Sequence, residues 1–329
     1  MVLALTSSST EALTAQADEP IFVQATAGSI VERGAPGAWD RAYNDPGAIF
    51  MHGGKLHMFN NGFDGWPTTS GIGYYTSEDG LEWEARAAGP VFRAGEQTFD
   101  GFGLVATSGL VTDNGEWRLY LTQLRAAAPR GVTGVAFRVV TADDPLGDWT
   151  LDEEPILLPG EPGAWDDAQI SDPMVMGIES GYVMYYSGVD RAGMRRIGLA
   201  RSRDGVVWDK HAEPILEPSL KWESGVHYPS VVETSTGYAM VYRAPLQGAR
   251  MSLGLAFSED GVSWSKRATP VFEPDSIEGS STSNITALVH HDGSTFLYVD
   301  AFVGGAFSLP YVLQHTGELD ARSMGATAR

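Results

Sequence analysis

Three stretches of this 329-residue chain place a group able to carry a proton or a charge just before a proline: Asn44-Asp45-Pro46-Gly47, Ser171-Asp172-Pro173 and His227-Tyr228-Pro229. One Asp-Pro pair has a plain structural reading, because proline tolerates the first position of a strand and aspartate favours turns. Two copies at equivalent places of a repeated fold would set two carboxylates beside each other. Such a pair repels unless a proton, a cation or a substrate charge lies between them. That arrangement suits cleavage of a glycosidic bond, where one carboxylate attacks carbon or activates water and other groups protonate the leaving oxygen and stabilise positive charge. His227 is the third group. Its imidazole, with an ordinary pKa near ~6.5, is expected to be raised by nearby carboxylates and so to serve as a proton donor.

A repeat would bring these stretches together. Proline followed by a β-branched residue and then Phe or Leu occurs at Pro20-Ile21-Phe22, Pro90-Val91-Phe92, Pro155-Ile156-Leu157, Pro214-Ile215-Leu216 and Pro270-Val271-Phe272, in steps of 70, 65, 59 and 56 residues. Each unit opens on an aromatic and an acid, as in Trp39-Asp40, Trp165-Asp166 and Trp222-Glu223. Apolar runs of four to six residues separated by Gly turns follow, and these predict strands with little room for helix. Three units then carry Ser-x-Asp-Gly-x-x-Trp, at Ser77 to Trp83, Ser202 to Trp208 and Ser258 to Trp264, a turn and packing signature expected to be structural.

The expected fold is all-β, a five-bladed β-propeller of four-stranded blades. The first Pro-Ile-Phe copy precedes any blade, and the last unit ends near Leu313 one strand short. An N-terminal strand that closes the last blade answers both observations and hides the sheet edges. In such a ring the innermost strand of each blade starts beside the axis, so the three stretches converge there. The other two entrances are neutral, near Thr107-Ser108 and Ser283-Asn284. Residues 20–320 form one domain in this reading, with a C-terminal tail at 321–329. Residues 1–19 are either a tail or the remnant of a signal peptide: Ala15-Gln16-Ala17 has the small-x-small form of a cleavage site, and a basic n-region is missing.

A formal charge of −20 without a compensating Lys/Arg cluster excludes nucleic acid and an anionic membrane surface as partners. No window of about 18 apolar residues is present, so membrane insertion is not expected. The absence of cysteine removes disulfides, thiolate zinc sites and cysteine nucleophiles together, and fits either side of a membrane. The first 19 residues tip localisation towards a secreted or periplasmic protein over a cytoplasmic one. The oligomeric state is not readable.

Unit count, Ser-x-Asp-Gly-x-x-Trp turns and Asp-Pro entrances together resemble the five-bladed propeller glycosidases, the superfamily of glycoside hydrolase families 43 and 32, over roughly residues 20–317. The resemblance implies that Asp45 is the base of an inverting enzyme or the nucleophile of a retaining one, and that Asp172 holds the sugar and tunes the acid. The third motif of those families is Glu-x-Pro, and here it reads His227-Tyr228-Pro229. His227 as general acid is similar to what is thought for family 117. Glu223 and Glu233 are the fallback acids, of which Glu223 aligns with Asp40 and Asp166 and reads as structural.

Around these groups, Asn44, Ser108, Tyr228 and Asn284 stand at strand entrances. Asn61, Phe63, Asp64 and Trp66 belong to a stretch expected as a loop on the same face, suited to sugar hydroxyls and a pyranose face. Arg243 lies in the same layer, whereas Arg125, Arg191 and Arg195 are placed in longer loops. The expected partner is a carbohydrate. No cofactor is required and no metal site is assigned. His290-His291-Asp292-Gly293 reads as a hairpin turn rather than a zinc site, and the resemblance allows a structural Ca²⁺ on the axis near Asn284. Two alternatives stay open: a non-catalytic carbohydrate-binding propeller, and a glycoside phosphorylase, which would need basic residues near the axis to hold phosphate.

Overall fold

The computed structural model describes residues 20–64, 71–93, 103–127, 131–245, 251–272, 277, 280–303 and 307–322. Residues 1–19, Trp66, the side chain of Asn284 and most of the C-terminal tail lie outside the described residues. Every regular element among those described is a strand. In chain order they are β1 (Val23–Gln24), β2 (Tyr43–His52), β3 (Lys55–Phe63), β4 (Gly71–Ser77), β5 (Glu84–Ala85), β6 (Phe92–Arg93), β7 (Gly103–Val111), β8 (Trp117–Ala127), β9 (Gly131–Ala142), β10 (Thr150–Leu151) and β11 (Gln169–Ile178). There follow β12 (Gly181–Val189), β13 (Arg195–Ser202), β14 (Asp209–Lys210), β15 (His227–Thr234), β16 (Gly237–Pro245), β17 (Met251–Ser258), β18 (Ser265–Lys266), β19 (Ser280–His291), β20 (Ser294–Val303) and β21 (Phe307–Thr316).

Three sheets are four-stranded antiparallel meanders, β7 to β10, β11 to β14 and β15 to β18. A larger sheet joins the meander β2 to β5 to β19-β20-β21 through one parallel pair, Tyr43 with Ser308. On its outer side β21 takes β1 as a partner, Val23 opposite Gln314, so a segment from the start of the chain covers an edge near its end. The first strands touch in the order β2, β7, β11, β15, β19 and back to β2. Their starts therefore face a shared central space.

The repeated turn explains how neighbouring meanders are fixed. Ser202 Oγ accepts from Gly205 N at 2.8 Å while Asp204 Oδ1 accepts from Val206 N and Val207 N at 2.9 Å, and Ser258 with Asp260 repeats the pattern. These bonds to the ionised carboxylate hold Asp260 down at about 2. The tryptophan closing each turn packs edge-on against a tyrosine of the preceding meander: Trp208 on Tyr120, Trp264 on Tyr185 and, across the chain ends, Trp83 on Tyr298. Tyr185 and Tyr298 complete the joint by donating to Gly261 O and Gly80 O, at 3.1 and 2.9 Å. A buried aromatic with its hydroxyl satisfied contributes apolar area without an orphaned polar atom.

The opening aromatic-acid pair of each unit is structural as well. Trp165 lies flat where Gly188 and Gly198 leave room, since a Cβ at either glycine would overlap the ring. Asp166 accepts from Lys210 Nζ at 2.6 Å and Tyr186 OH at 3.0 Å. Glu223 accepts from Lys266 Nζ and Tyr242 OH, both at 2.7 Å, and its side chain is fully buried. Glu223 is thus occupied in the scaffold, as its alignment with Asp166 indicated.

Candidate active site

Each first strand carries a bulge near its start, where one extra residue faces the second strand. Within two residues before the bulge five residue pairs stand at the same register: Asp45 with Asn61, Val105 with Thr122, Ser171 with Ser187, His227 with Arg243 and Asn284 with Asp300. This corrects the expected equivalence of the two aspartates. Asp45 shares its position with Ser171 and His227, whereas Asp172 sits inside the bulge and corresponds to Tyr228. Asp172 and Tyr228 both adopt positive φ, 58° and 53°. A non-glycine residue in that region stores about 1–3 kcal/mol of strain, a cost met most often at functional sites.

The second residues of these pairs explain how the bulges are held. Asn61 Oδ1 accepts from Ala106 N at 2.9 Å, Thr122 Oγ1 from Asp172 N at 3.0 Å, and Ser187 Oγ from Tyr228 N at 2.8 Å. Each side chain clamps the bulge of the next meander. The pattern breaks at the last two positions, because the Arg243 guanidinium has no acceptor atom and Asp300 faces a bulge that begins with Pro46, which has no N–H.

A cavity of about 530 Å³ opens over this ring, and its walls include Asp45, Asp172, His227, Tyr228, Arg195, Arg243 and Asp300. The three residues expected to do chemistry are thus brought together. Tyr43, Phe63 and Phe302 form an aromatic wall, with Tyr43 edge-on to Phe63 at 6.2 Å and to Phe302 at 5.8 Å between ring centroids.

Several expected contacts move elsewhere. Asn61 lies within β3 rather than in a loop, is buried, and also donates to Ala106 O at 2.8 Å, which makes it a clamp between sheets. Ser108 donates to Pro173 O at 2.9 Å and accepts from Val175 N at 3.1 Å, on the side turned away from the cavity. Asn44 is wholly buried, accepting from Asn60 and donating to Glu32 O at 3.2 Å. Asp64 is exposed and absent from the lining. Arg195, assigned to a loop, starts β13 and reaches the cavity. Sequence reasoning missed Asp300 altogether. Its signal was available: Asp300 lies as many residues beyond the first residue of its second strand as Arg243, Ser187 and Asn61 do in theirs.

Burial and charge pull the titrating groups in opposite directions. Burial and the neighbouring Asp300 push Asp45 well above the usual carboxylate range, with the Ser308 hydroxyl partly offsetting them. Burial raises Asp172 to about 6 against the opposing bonds from Ser171 and Ser187 and the positive charges of Arg243 and Arg195. His227 moves down, not up: burial and the Arg243 and Arg195 cations depress it well below the ordinary imidazole value. The expectation that carboxylates would raise it is therefore reversed, since arginines flank the ring. Arg243 also lies over the Tyr228 ring, 5.4 Å from its centroid. His227 Nε2 and Arg243 Nε are buried with no hydrogen-bond partner among the described residues.

The folded chain holds the Asp172 proton more tightly than the unfolded chain, so this carboxyl's stabilising contribution is complete below pH ~3.8 and is lost as pH rises through about 6. Asp172→Asn is accordingly expected to stabilise the protein by about 2–3 kcal/mol at pH 7.5 and to leave it little changed below pH ~4. Urea unfolding of both proteins at the two pH values checks this.

A smaller cavity of about 80 Å³ adjoins the first at the axis, bounded by Asp45, Asn61, Asp172, Tyr228 and Asp300 among others. Among the described residues no three His, Asp or Glu side chains stand together as a metal-binding group.

An all-β chain whose first strands ring a cavity walled by aspartates, arginines and aromatics has the makings of a glycosidase-type protein. Residues 38–225, more than half of the chain, match the family model for the glycosyl hydrolases family 32 N-terminal domain, and the chain belongs to that family. Residues 185–309 also match the family model described as β-1,4-mannooligosaccharide phosphorylase. No curated protein matches the sequence. A candidate glycosidase from Bacteroides thetaiotaomicron VPI-5482 has a similar structure, with TM-score 0.70, 18% identity, and 90% of this chain and 96% of that one covered. Zg3597, a family 117 glycoside hydrolase produced by Zobellia galactanivorans, is similar at TM-score 0.64 and 18% identity, with 94% of each chain covered. A thermostable family-43 glycoside hydrolase is similar at TM-score 0.62 and 14% identity, over 89% of this chain and 95% of that one.

Proposed function

We propose that the five meanders are the blades of a five-bladed propeller and that the chain is a glycoside hydrolase acting on a glycosidic bond of an oligo- or polysaccharide. The observation that carries this reading is the convergence of Asp45, Asp172 and His227 on one cavity of about 530 Å³ with an aromatic wall. That volume lies within the range of small-molecule sites, and aromatic faces suit the C–H faces of sugar rings. Asp45 serves as base or nucleophile, Asp172 modulates the acid and holds the sugar, and His227 protonates the leaving oxygen.

Asp45 must be ionised to act, yet it is pushed up, and His227 must be protonated, yet it is pushed down. The working state of each group therefore runs against the push of its surroundings. A bell-shaped profile results whose limbs belong to the coupled site rather than to either residue.

A second reading rests on Arg195 and Arg243 beside His227, three groups suited to an inorganic phosphate that would replace water as nucleophile. Assays of a saccharide panel with and without phosphate separate the two. Free reducing sugar at equal rates in both is the expected result. Glycosyl phosphate formed only with phosphate would move the protein to the second reading, and binding without cleavage would make it a carbohydrate-binding protein.

A further inference from the structure

Asp300 stands at a clamp position, but the bulge it faces starts with Pro46, which offers no N–H to hold. Its carboxylate turns instead to Ser308, which donates to Asp300 Oδ2 at 2.8 Å and whose Oγ also lies 3.1 Å from Asp45 Oδ1. Ser308 sits at the parallel pair with Tyr43 that joins β21 to β2, so the contact spans the seam between the two ends of the chain. Ser308 is wholly buried and Asp300 is 3% exposed, which leaves little water to satisfy either oxygen.

A serine hydroxyl has one hydrogen and can donate to one carboxylate only. Both short contacts become hydrogen bonds when a single proton is added. In one form the Asp45 carboxylic acid donates to Ser308 Oγ while Ser308 donates to the Asp300 carboxylate. In the other, both hydrogens have shifted: Asp300 donates to Ser308 Oγ, and Ser308 donates to ionised Asp45. The total charge is the same, and no reagent beyond the shared proton is needed. We propose that Asp300 is a positioning residue whose charge sets the protonation of Asp45, with Ser308 bridging the two so that the three side chains form one proton-sharing unit.

Two features of the site give the unit its bias. Two carboxylates beside one another cannot both ionise cheaply, and Asp300 contributes to the rise of Asp45. The Arg243 cation is stabilised by Asp300 and so favours the negative charge there, which leaves the proton on Asp45 at rest. The other charged or titratable groups on the same cavity are Tyr43 from β2, Asp172 from β11, Arg195 from β13, and His227 and Tyr228 from β15. The inference deepens the assignment of Asp45 as base or nucleophile and rests on it for its catalytic meaning.

The test is a pH titration of ¹³C-carboxyl aspartate signals in the full chain, with Asp45 assigned by its loss in Asp45→Asn. The Asp45 midpoint should fall by about one pH unit or more in Asp300→Asn, a tenfold or greater rise in its acid dissociation. Ser308→Ala cuts the bridge and keeps the like charge, so its midpoint should not fall. An Asp45 midpoint equal in wild type and Asp300→Asn, or a fall in Ser308→Ala matching that in Asp300→Asn, would overturn the inference. Because the readout needs no turnover, it is independent of the functional reading: full activity in Asp45→Asn would sink that reading while leaving the measured coupling intact. With Asp45 active, the limb of the kcat/KM profile that follows Asp45 should shift in Asp300→Asn together with the midpoint, which a purely structural role would not do.

Discussion

Asp45→Asn is expected to lower kcat by about 10⁴-fold or more on any saccharide the protein cleaves, while leaving saccharide affinity within a few-fold of wild type. The amide keeps the shape of the side chain and can still pair with Ser308, so the wall of the cavity is conserved. It can neither attack an anomeric carbon nor take a proton from water. A loss confined to kcat identifies a group used only in the transition state, whereas a loss confined to KM would mark Asp45 as a sugar-holding residue. Steady-state kinetics beside calorimetric binding distinguishes these outcomes, and unchanged kcat would remove Asp45 from the mechanism.

His227→Gln should divide substrates by leaving group. For a sugar or alkyl alcohol, which departs poorly as an anion, kcat/KM should fall by roughly 10³-fold, within the 10²–10⁴ range of general acid catalysis. For an activated aryl glycoside, whose phenolate leaves unaided, the loss should stay within a few-fold. The pH profile supplies a second check. The acid form of His227 is needed, its pKa is depressed, and activity therefore falls as pH rises; in the Gln variant that alkaline limb should disappear. Equal loss on both substrate types would instead point to a positional role, with Asp172, raised to about 6, as another carboxylic acid on the same cavity.

The parts of the fold legible in the sequence were those written as local chemistry. Ser-Asp-Gly-Trp turns announce themselves because the serine and aspartate oxygens bond backbone N–H groups two or three residues away. The strand near Val23 was inferred from an unpaired copy of a repeat, and it pairs with β21. What failed was anything dependent on register. Counting back from proline aligns Asp45 with Asp172, but proline is the first of the two bulge residues in β2 and the second in β11 and β15, so pairing aligns Asp45 with Ser171 and His227 instead. A one-residue shift changes which side chain faces the axis, and composition carries no record of it.

The same limit hid the roles of Asn61 and Asp300. Both are polar residues at one register position, and only the backbone opposite tells them apart: Ala106 offers Asn61 an N–H, and Pro46 offers Asp300 none. The direction of the His227 shift was unreadable for a related reason, since it depends on burial and on Arg243 and Arg195 from two other strands. Residue types are written in the chain, whereas the company each side chain keeps is decided by pairing across strands.

The assignment of Asp45 and His227 is tested most directly by a crystal structure of the Asp45→Asn protein with an uncleaved saccharide. The anomeric carbon of the scissile bond should lie about 3–3.5 Å from the substituted side chain at position 45, or one water away, with the glycosidic oxygen within hydrogen-bond reach of His227. A saccharide bound elsewhere, or seated in the cavity with its glycosidic oxygen turned from His227 and its anomeric carbon from position 45, would contradict the assignment.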